Sequence, residues 1–574
     1  MRRSFITFCI VAVVANFVCA QSPNPVVKTP EFEVTGLAYH DENTGELISH
    51  AFLSVPYAQP PVGDLRLEHP RALPPNSTWR FNGQELPPGC TQQEDFSRYN
   101  FTTSEDCLFL NVMAPPKPSP DGNGYPVLIW IHGGGFVYGM NRFYGWQQLA
   151  KHFNPRNIVV VAIQYRVAFW GFFALGDQNL PGNLGLWDQT AALKFVNSRI
   201  NLFGGDPSRI TVWGNSAGGA SVHSLSLSPH SNQYFQRSIQ SSGSLYNFWS
   251  NTRRTYQMSR EIADKLGCSS TDTAEVKKCL KKVPIPTVWQ ATKQYGLMRT
   301  DSMHSIYWGP ILADQDFFVG KHVPMLTQAA PKKPTLYGLT KGEGLLFTLM
   351  TPNPVTSVFA YGIGVKVEDQ PKFTKENLTN FIHSYVANKE MAGDNIGKVR
   401  QILEDHYLKE DQSDGDKSRF WFKRFTDLMS DGQFFAGVLR EIGEKLALSW
   451  KEQYLYFLDY VHPSHRALIG VDGDYTPHAY EYQYLTDAVP YFPVSKSEFN
   501  DVEHRFTTRL VDAYAEFVKG GQPGTKEHPW APLQDEIQPN YLRLGEVIQV
   551  ENTFFPPISK VWKAIFATGY GDER

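Results

Sequence analysis

Residues 211–223, TVWGNSAGGASVH, decide the fold. The run 210–213 is apolar and β-prone, and it stops at Gly214. Small residues then restart the chain in a helical pattern through Ser216, Ala217, Gly218, Gly219 and Ala220. A strand that turns straight into a helix brings backbones so close that a side chain at the bend would collide with them, which is why the glycines are needed. The one polar side chain at the apex is Ser216. Gly214-Asn215-Ser216-Ala217-Gly218 is thus a G-x-S-x-G set between a strand and a helix, where a strained turn projects a serine Oγ out of a sheet.

A serine nucleophile needs a base, an acid to orient that base, and donors for the developing oxyanion. The donors are the easiest to find. His132-Gly133-Gly134-Gly135-Phe136 follows the strand expected at 127–131, and consecutive glycines let backbone N–H groups turn towards a bound carbonyl without obstruction. Gly134 and Gly135, with the N–H of Ala217 just after the nucleophile, make a candidate three-donor oxyanion hole.

Further apolar runs bounded by turn residues read as buried strands at 158–165, 335–339 and 454–460. Helical patterns lie between several of them, as at 188–198 and at 505–519, the latter stopped by Gly520 and Gly521. Strands alternating with helices predict an α/β fold with a large, mostly parallel central sheet covered by helices on both faces. The less periodic stretch 345–450 is expected to add helices around that sheet. Residues 21–574 read as a single domain, and a chain with 42% hydrophobic residues can fill so large a core. A net charge of -3 and no long basic run argue against nucleic acid or an anionic membrane as partner.

Residues 1–20 stand apart. Arg2 and Arg3 precede an apolar run over 5–18, and Val18-Cys19-Ala20 offers small residues for cleavage, which predicts a secretory signal peptide. No apolar segment near the C-terminus suggests a membrane anchor, so the expected location is extracellular, or the lumen of the secretory pathway. Cys9 and Cys19 leave with the signal. Cys90, Cys107, Cys268 and Cys279 remain, with three possible pairings, of which two short local loops, Cys90 with Cys107 and Cys268 with Cys279, are the simplest. Neither spacing suits a metal site, and none is expected. Sequons at Asn76, Asn100 and Asn377 are candidate glycosylation sites in an exported chain.

Taken together, these stretches resemble the type-B carboxylesterase/cholinesterase family of α/β-hydrolases. The likeness runs along almost the whole mature chain: FLSVPYAQPPVGDLR at 52–66, SEDCLFLN at 104–111, HGGGF at 132–136, YRV at 165–167, GNLGLWDQ at 182–189, the run 204–219, and HRA at 465–467. It implies the α/β-hydrolase fold and hydrolysis of small-molecule carboxylic esters through an acyl-enzyme, with no cofactor. It also supplies the two missing residues. Gly342-Glu343-Gly344, after the strand at 335–339, matches the family's acidic turn, which makes Glu343 the orienting acid. Among 16 histidines, His478 in Pro477-His478-Ala479-Tyr480-Glu481 matches the family's loop histidine and so the base. His462 is the rival, close to the strand's end but without the H-x-x-E context. The order Ser216, Glu343, His478 is that of α/β-hydrolases, serine then acid then histidine.

Departures from the family narrow the substrate. Asn215 stands in place of the glutamate that usually precedes the nucleophile, and Tyr475 and Pro477 stand where many relatives have glycine and an aliphatic residue. The loop 91–106 holds Phe96, Tyr99 and Phe101 but no tryptophan, the residue with which cholinesterases bind a quaternary ammonium. A choline ester is therefore not expected. Two alternatives share the resemblance: an acyltransferase using the same three residues, and a non-catalytic adhesion relative, which would usually have lost the serine and gained a membrane stalk.

Overall fold

The computed structural model describes residues 23–571 apart from 77, 93–101, 253, 294, 297–298, 351–358, 361, 411–416, 472 and 488–498. The signal-peptide reading of 1–20, the sequon residue Asn100 and the three aromatic residues of the loop 91–106 lie outside the described residues. In chain order, the strands of the main sheet are β1 (Leu37–His40), β2 (Leu47–Pro56), β3 (Phe109–Ala114), β4 (Tyr125–Ile131), β5 (Val159–Ile163) and β6 (Gly205–Asn215). They continue with β7 (Arg237–Ser241), β8 (Thr335–Thr340), β9 (Gln453–Leu458), β10 (Tyr541–Leu544) and β11 (Ile548–Glu551). The sheet has 11 strands in the order β11-β10-β9-β8-β7-β6-β4-β5-β3-β2-β1.

From β10 to β5 every pairing is parallel, while β10–β11 and the run β5–β3–β2–β1 are antiparallel. The parallel centre follows from burial on both faces. Val127, Ile129 and Ile131 of β4 join one apolar core, and Leu128 and Trp130, pointing the other way, join a second. Every residue of β4, β5, β8 and β9 is buried, which is why these strands read as unbroken apolar runs.

The helices used below are α1 (Leu184–Arg199), α2 (Ala217–Leu227), α3 (Lys417–Ser430), α4 (Ala436–Ala447), α5 (Asp501–Gly520) and α6 (Pro556–Phe566). Helix α5 starts four residues before the expected 505 because Asn500 and Glu503 form a capping box, and it ends at Gly521 in the left-handed conformation. The expectation of added helices over 345–450 is met by α3 and α4, joined by one π-helical turn, Asp431–Phe435.

Cys90 is bonded to Cys107 and Cys268 to Cys279, the local pairings. Asn76 accepts from the N–H and Oγ1 of Thr78 at 3.1 and 2.7 Å, and Asn377 is exposed in the first turn of the helix Lys375–Phe381, where its side chain closes a capping box with Thr374. No described helix is long and apolar enough to cross a membrane.

Candidate active site

Ser216 follows β6 directly with φ 59° and ψ −125°, outside the region where a serine backbone rests, at a cost of about 1–3 kcal/mol. Close packing on all sides holds it there. A Cβ on Gly218 would lie 2.2 Å from the Ile131 carbonyl oxygen, and one on Gly243 would lie 2.1 Å from the carbonyl oxygen of Ser216 itself. The Ser216 N–H donates to Ser241 O at 2.8 Å, tying the turn to β7. Helix α2 begins at the next residue, so its free N-terminal N–H groups surround the serine.

The glycine run after β4 passes directly beside this turn. A Cβ on Gly133 would meet Ser216 Cβ at 3.0 Å. Gly134 and Gly135 have φ of +110° and +60°, conformations that only glycine adopts without strain, and among the described residues their N–H groups donate to no protein acceptor. The first residue of α2, Ala217, has no intrahelical acceptor either. Behind the run, His132 is fully buried against Tyr165, ring centroids 4.4 Å apart, and burial pulls its pKa down to about 4. It is a neutral packing residue.

Glu343 and His478 meet. His478 Nδ1 is 2.6 Å from Glu343 Oε2, and both side chains are buried. Glu343 Oε1 accepts from Ser242 Oγ at 2.6 Å and from the Thr340 N–H at 2.8 Å. The loops carrying acid and base are themselves zipped together: Gly342 pairs with Pro477 in a single parallel bridge, and Gly342 N–H donates to Thr476 O at 2.8 Å. Tyr475 anchors the same loop by donating to Asp427 Oδ1 at 2.7 Å, so the two unusual residues before the base are built into its support. The Phe434 ring lies 4.7 Å from the His478 ring.

Ser216 and His478 make no hydrogen bond to each other in this conformation, but their neighbours do. Asn215 Nδ2 donates to Glu481 Oε1 at 2.8 Å. The link runs from the residue before the serine to the third residue after the histidine, and hydrogen bonds at such sites commonly tighten only once substrate is bound. His462, by contrast, caps the helix Pro463–Ile469 by accepting from Ser464 N–H. The sequence pattern gives Ser242 no role, and Glu481 none beyond closing the H-x-x-E stretch. Ser242, with φ 52°, sits in a Ser-Ser-Gly run after β7, and such a run at a strand's C-terminal end was the available signal.

Aromatic side chains line the approach. A Cβ on Gly135 would meet Phe359 at 2.8 Å and Ile306 at 3.1 Å, and Trp249 stands 5.8 Å from Phe434 between ring centroids. No group of three or more metal-ligating side chains occurs among the described residues.

A serine on a strained strand-to-helix turn, at the C-terminal edge of a parallel sheet, defines an α/β-hydrolase. The model of the carboxylesterase family matches residues 23–562. Gut esterase 1 of Caenorhabditis briggsae is 32% identical over 547 residues, covering 94% of this chain and 92% of that protein. Liver carboxylesterase 1F of Rattus norvegicus is 28% identical, covering 96% and 95%, and acylcarnitine hydrolase of Mus musculus is 28% identical, covering 91% and 87%. The chain belongs to the carboxylesterase family and is a carboxylic ester hydrolase.

Proposed function

We propose that the protein hydrolyses esters through an acyl-enzyme on Ser216, with His478 as base and Glu343 as the acid that orients it. The observation that carries this reading is the 2.6 Å contact of His478 Nδ1 with Glu343 Oε2, beside a serine held at the strained turn. With Nδ1–H donated to the carboxylate, Nε2 is left as the free base. His478 takes the Ser216 proton as Oγ bonds to the ester carbonyl carbon. The N–H groups of Gly134, Gly135 and Ala217 receive the oxyanion, a stabilisation of roughly 3–4 kcal/mol per donor in such sites. The imidazolium, stabilised by Glu343, then gives its proton to the departing alcohol oxygen as the C–O bond breaks. Water repeats the cycle on the acyl-serine and releases the acid.

The aromatic wall of Trp249, Phe359 and Phe434 suits an uncharged ester with an apolar acyl group. With the neutral amide at 215, it supports no preference for a cationic substrate. Two disulfides fit an oxidising compartment, and with them secretion or residence in the secretory lumen is part of the proposal, as are glycans at Asn76, Asn100 and Asn377.

The experiment is Ser216→Ala with an activated aryl ester. Turnover should be lost with the circular dichroism spectrum unchanged, and an organophosphonate should label the wild type at Ser216 alone. Labelling at another residue, or full activity in the alanine variant, rules the mechanism out.

A further inference from the structure

Beneath the proposed nucleophile lies a polar network with one donor too few. Asn215 is fully buried and gives Nδ2–H to Glu481 Oε1 at 2.8 Å, yet its own Oδ1 has no hydrogen-bond donor. Glu481 is 1% exposed, and its Oε2 is orphaned in the same way. The two unsatisfied acceptors are therefore the remaining oxygens of two groups already joined by one hydrogen bond. Such a pair of orphans in a dry site is costly, and a single proton on the carboxyl group relieves both at once.

We propose that Glu481 is a positioning residue held as the neutral acid, its Oε1 accepting from Asn215 Nδ2–H while its Oε2–H donates to Asn215 Oδ1. The result is a cyclic acid–amide pair, clamping the residue before the serine to the loop that carries the base. This rests on the assignment of Ser216 and His478 above and deepens it, since it says why an amide stands at 215. A glutamate there would put a second carboxyl against Glu481; the amide supplies both a donor and an acceptor and matches a protonated acid atom for atom.

The surroundings of Glu481 favour the neutral form. Burial, and next the charge of Glu343, push its pKa up to about 7, and the one opposing ionic influence is His478. Among the described residues, the remaining titratable groups facing it are phenols: Tyr482 in its own segment, Tyr456 from β9 with its OH 3.4 Å from Oε1, and Tyr514 from α5, 2.9 Å from the Tyr456 OH. Burial raises all three phenols above their ordinary range, so they too are uncharged. Tyr456 and Tyr514 share Ser241 Oγ, at 3.0 and 3.1 Å, in the residue whose carbonyl holds the Ser216 N–H. The pair thus joins a hydrogen-bonded platform running under the turn from β9 through α5 to β7. With Glu481 neutral, Glu343 is, among the described residues, the one carboxylate hydrogen-bonded to His478.

Two measurements test the pair. Infrared difference spectra of wild type minus Glu481→Gln in D2O at pH 6, below the raised value and above that of an ordinary glutamate, read protonation without any turnover. The expected result is the carbonyl band of an un-ionised carboxylic acid, and a carboxylate band in its place overturns the proposal. The second measurement is the pH profile of kcat/KM. Removing an anion beside His478 would lower the midpoint of the acid limb by on the order of one unit, whereas replacing a neutral acid by a neutral amide leaves it in place. A fall in the Glu481→Gln midpoint therefore also overturns the proposal. For the positioning role, Glu481→Leu should lower kcat at least tenfold with KM kept, and Glu481→Gln should recover most of that loss; equal impairment of the two variants refutes it. Loss of the mechanism itself would appear in the Ser216 labelling, which none of these readouts uses.

Discussion

Glu343 reaches His478 with one carboxylate oxygen and must have the other held still. Ser242 Oγ and the Thr340 N–H do this at 2.6 and 2.8 Å. Hydrogen bonds to a charged group are worth about 1.5–3 kcal/mol, so loss of one that keeps the acid aligned should cost roughly ten- to a hundredfold in rate. Ser242→Ala is expected to lower kcat on an aryl ester by that factor with little change in KM; a kcat close to that of the wild type would show that Thr340 alone suffices. The proposed nucleophile and acid were legible because each sits in a short motif beside a strand end, and the proposed base because its H-x-x-E stretch matches the family. The partners of Ser242 and Glu481 were not: Ser242 lies in no such motif, and Glu481 closes the H-x-x-E stretch without any local sign of what it contacts. Ser242 reaches Glu343 across 101 positions, and Glu481 is aimed at Asn215 by packing around Tyr456 and Tyr514, which no local pattern records.

The π-helical turn between α3 and α4 is where local pattern fails at the scale of an element. Residues Asp431–Phe435 widen the helix by a residue, and the bulge aims Phe434 at the His478 ring. The residue before it, Ser430, accepts from the Gly344 N–H at 2.8 Å, so the same bulge supports the acid's turn. A reading by helical period carries α3 straight into α4 and misses it. The bulge also buries Asp431, whose Oδ2 accepts from Tyr407 OH at 2.6 Å and whose pKa burial pushes up to about 8. The folded state thus holds a proton that the unfolded chain releases above about pH 4, and stability falls as pH rises from about 4 towards 8. Asp431→Asn removes that penalty while keeping an acceptor for Tyr407. Its melting temperature should exceed that of the wild type by an amount that grows between pH 5 and pH 8; a pH-independent difference would show Asp431 ionised. Strands β4, β5, β8 and β9 and the apolar end of β6 were legible for the opposite reason: burial on both faces leaves apolar runs with nothing else to fit, whereas β2, β3 and the polar central strand β7 were not read. The polar start of β6, Gly205 to Arg209, the edge strands β1 and β11, and β10 next to the edge carry no such run and were not anticipated.

At the scale of the whole molecule, the order of strands across the sheet fixes when the site can exist. Ser216 follows β6 and Glu343 follows β8, but His478 follows β9, which docks on β8 only after the intervening helical excursion that includes α3 and α4. During synthesis the nucleophile and the acid leave the ribosome well over a hundred residues before the base, at about 5–20 residues per second, a delay of several seconds or more. If Ser216, Glu343 and His478 act as proposed, a nascent chain carries an elbow and an acid with nothing to fire them and is expected to be inert towards esters until the base is made. Refolding of the disulfide-intact chain from denaturant should show the same order. Phosphonate reactivity at Ser216 should return after the helical circular dichroism signal, in step with burial of Trp450 just before β9, and simultaneous recovery of all three signals would show that the sheet closes in one event. On the proposed mechanism, catalytic competence is then a clock set by the arrival of β9 and the loop that follows it, and the chain is protected from its own chemistry until that loop is made.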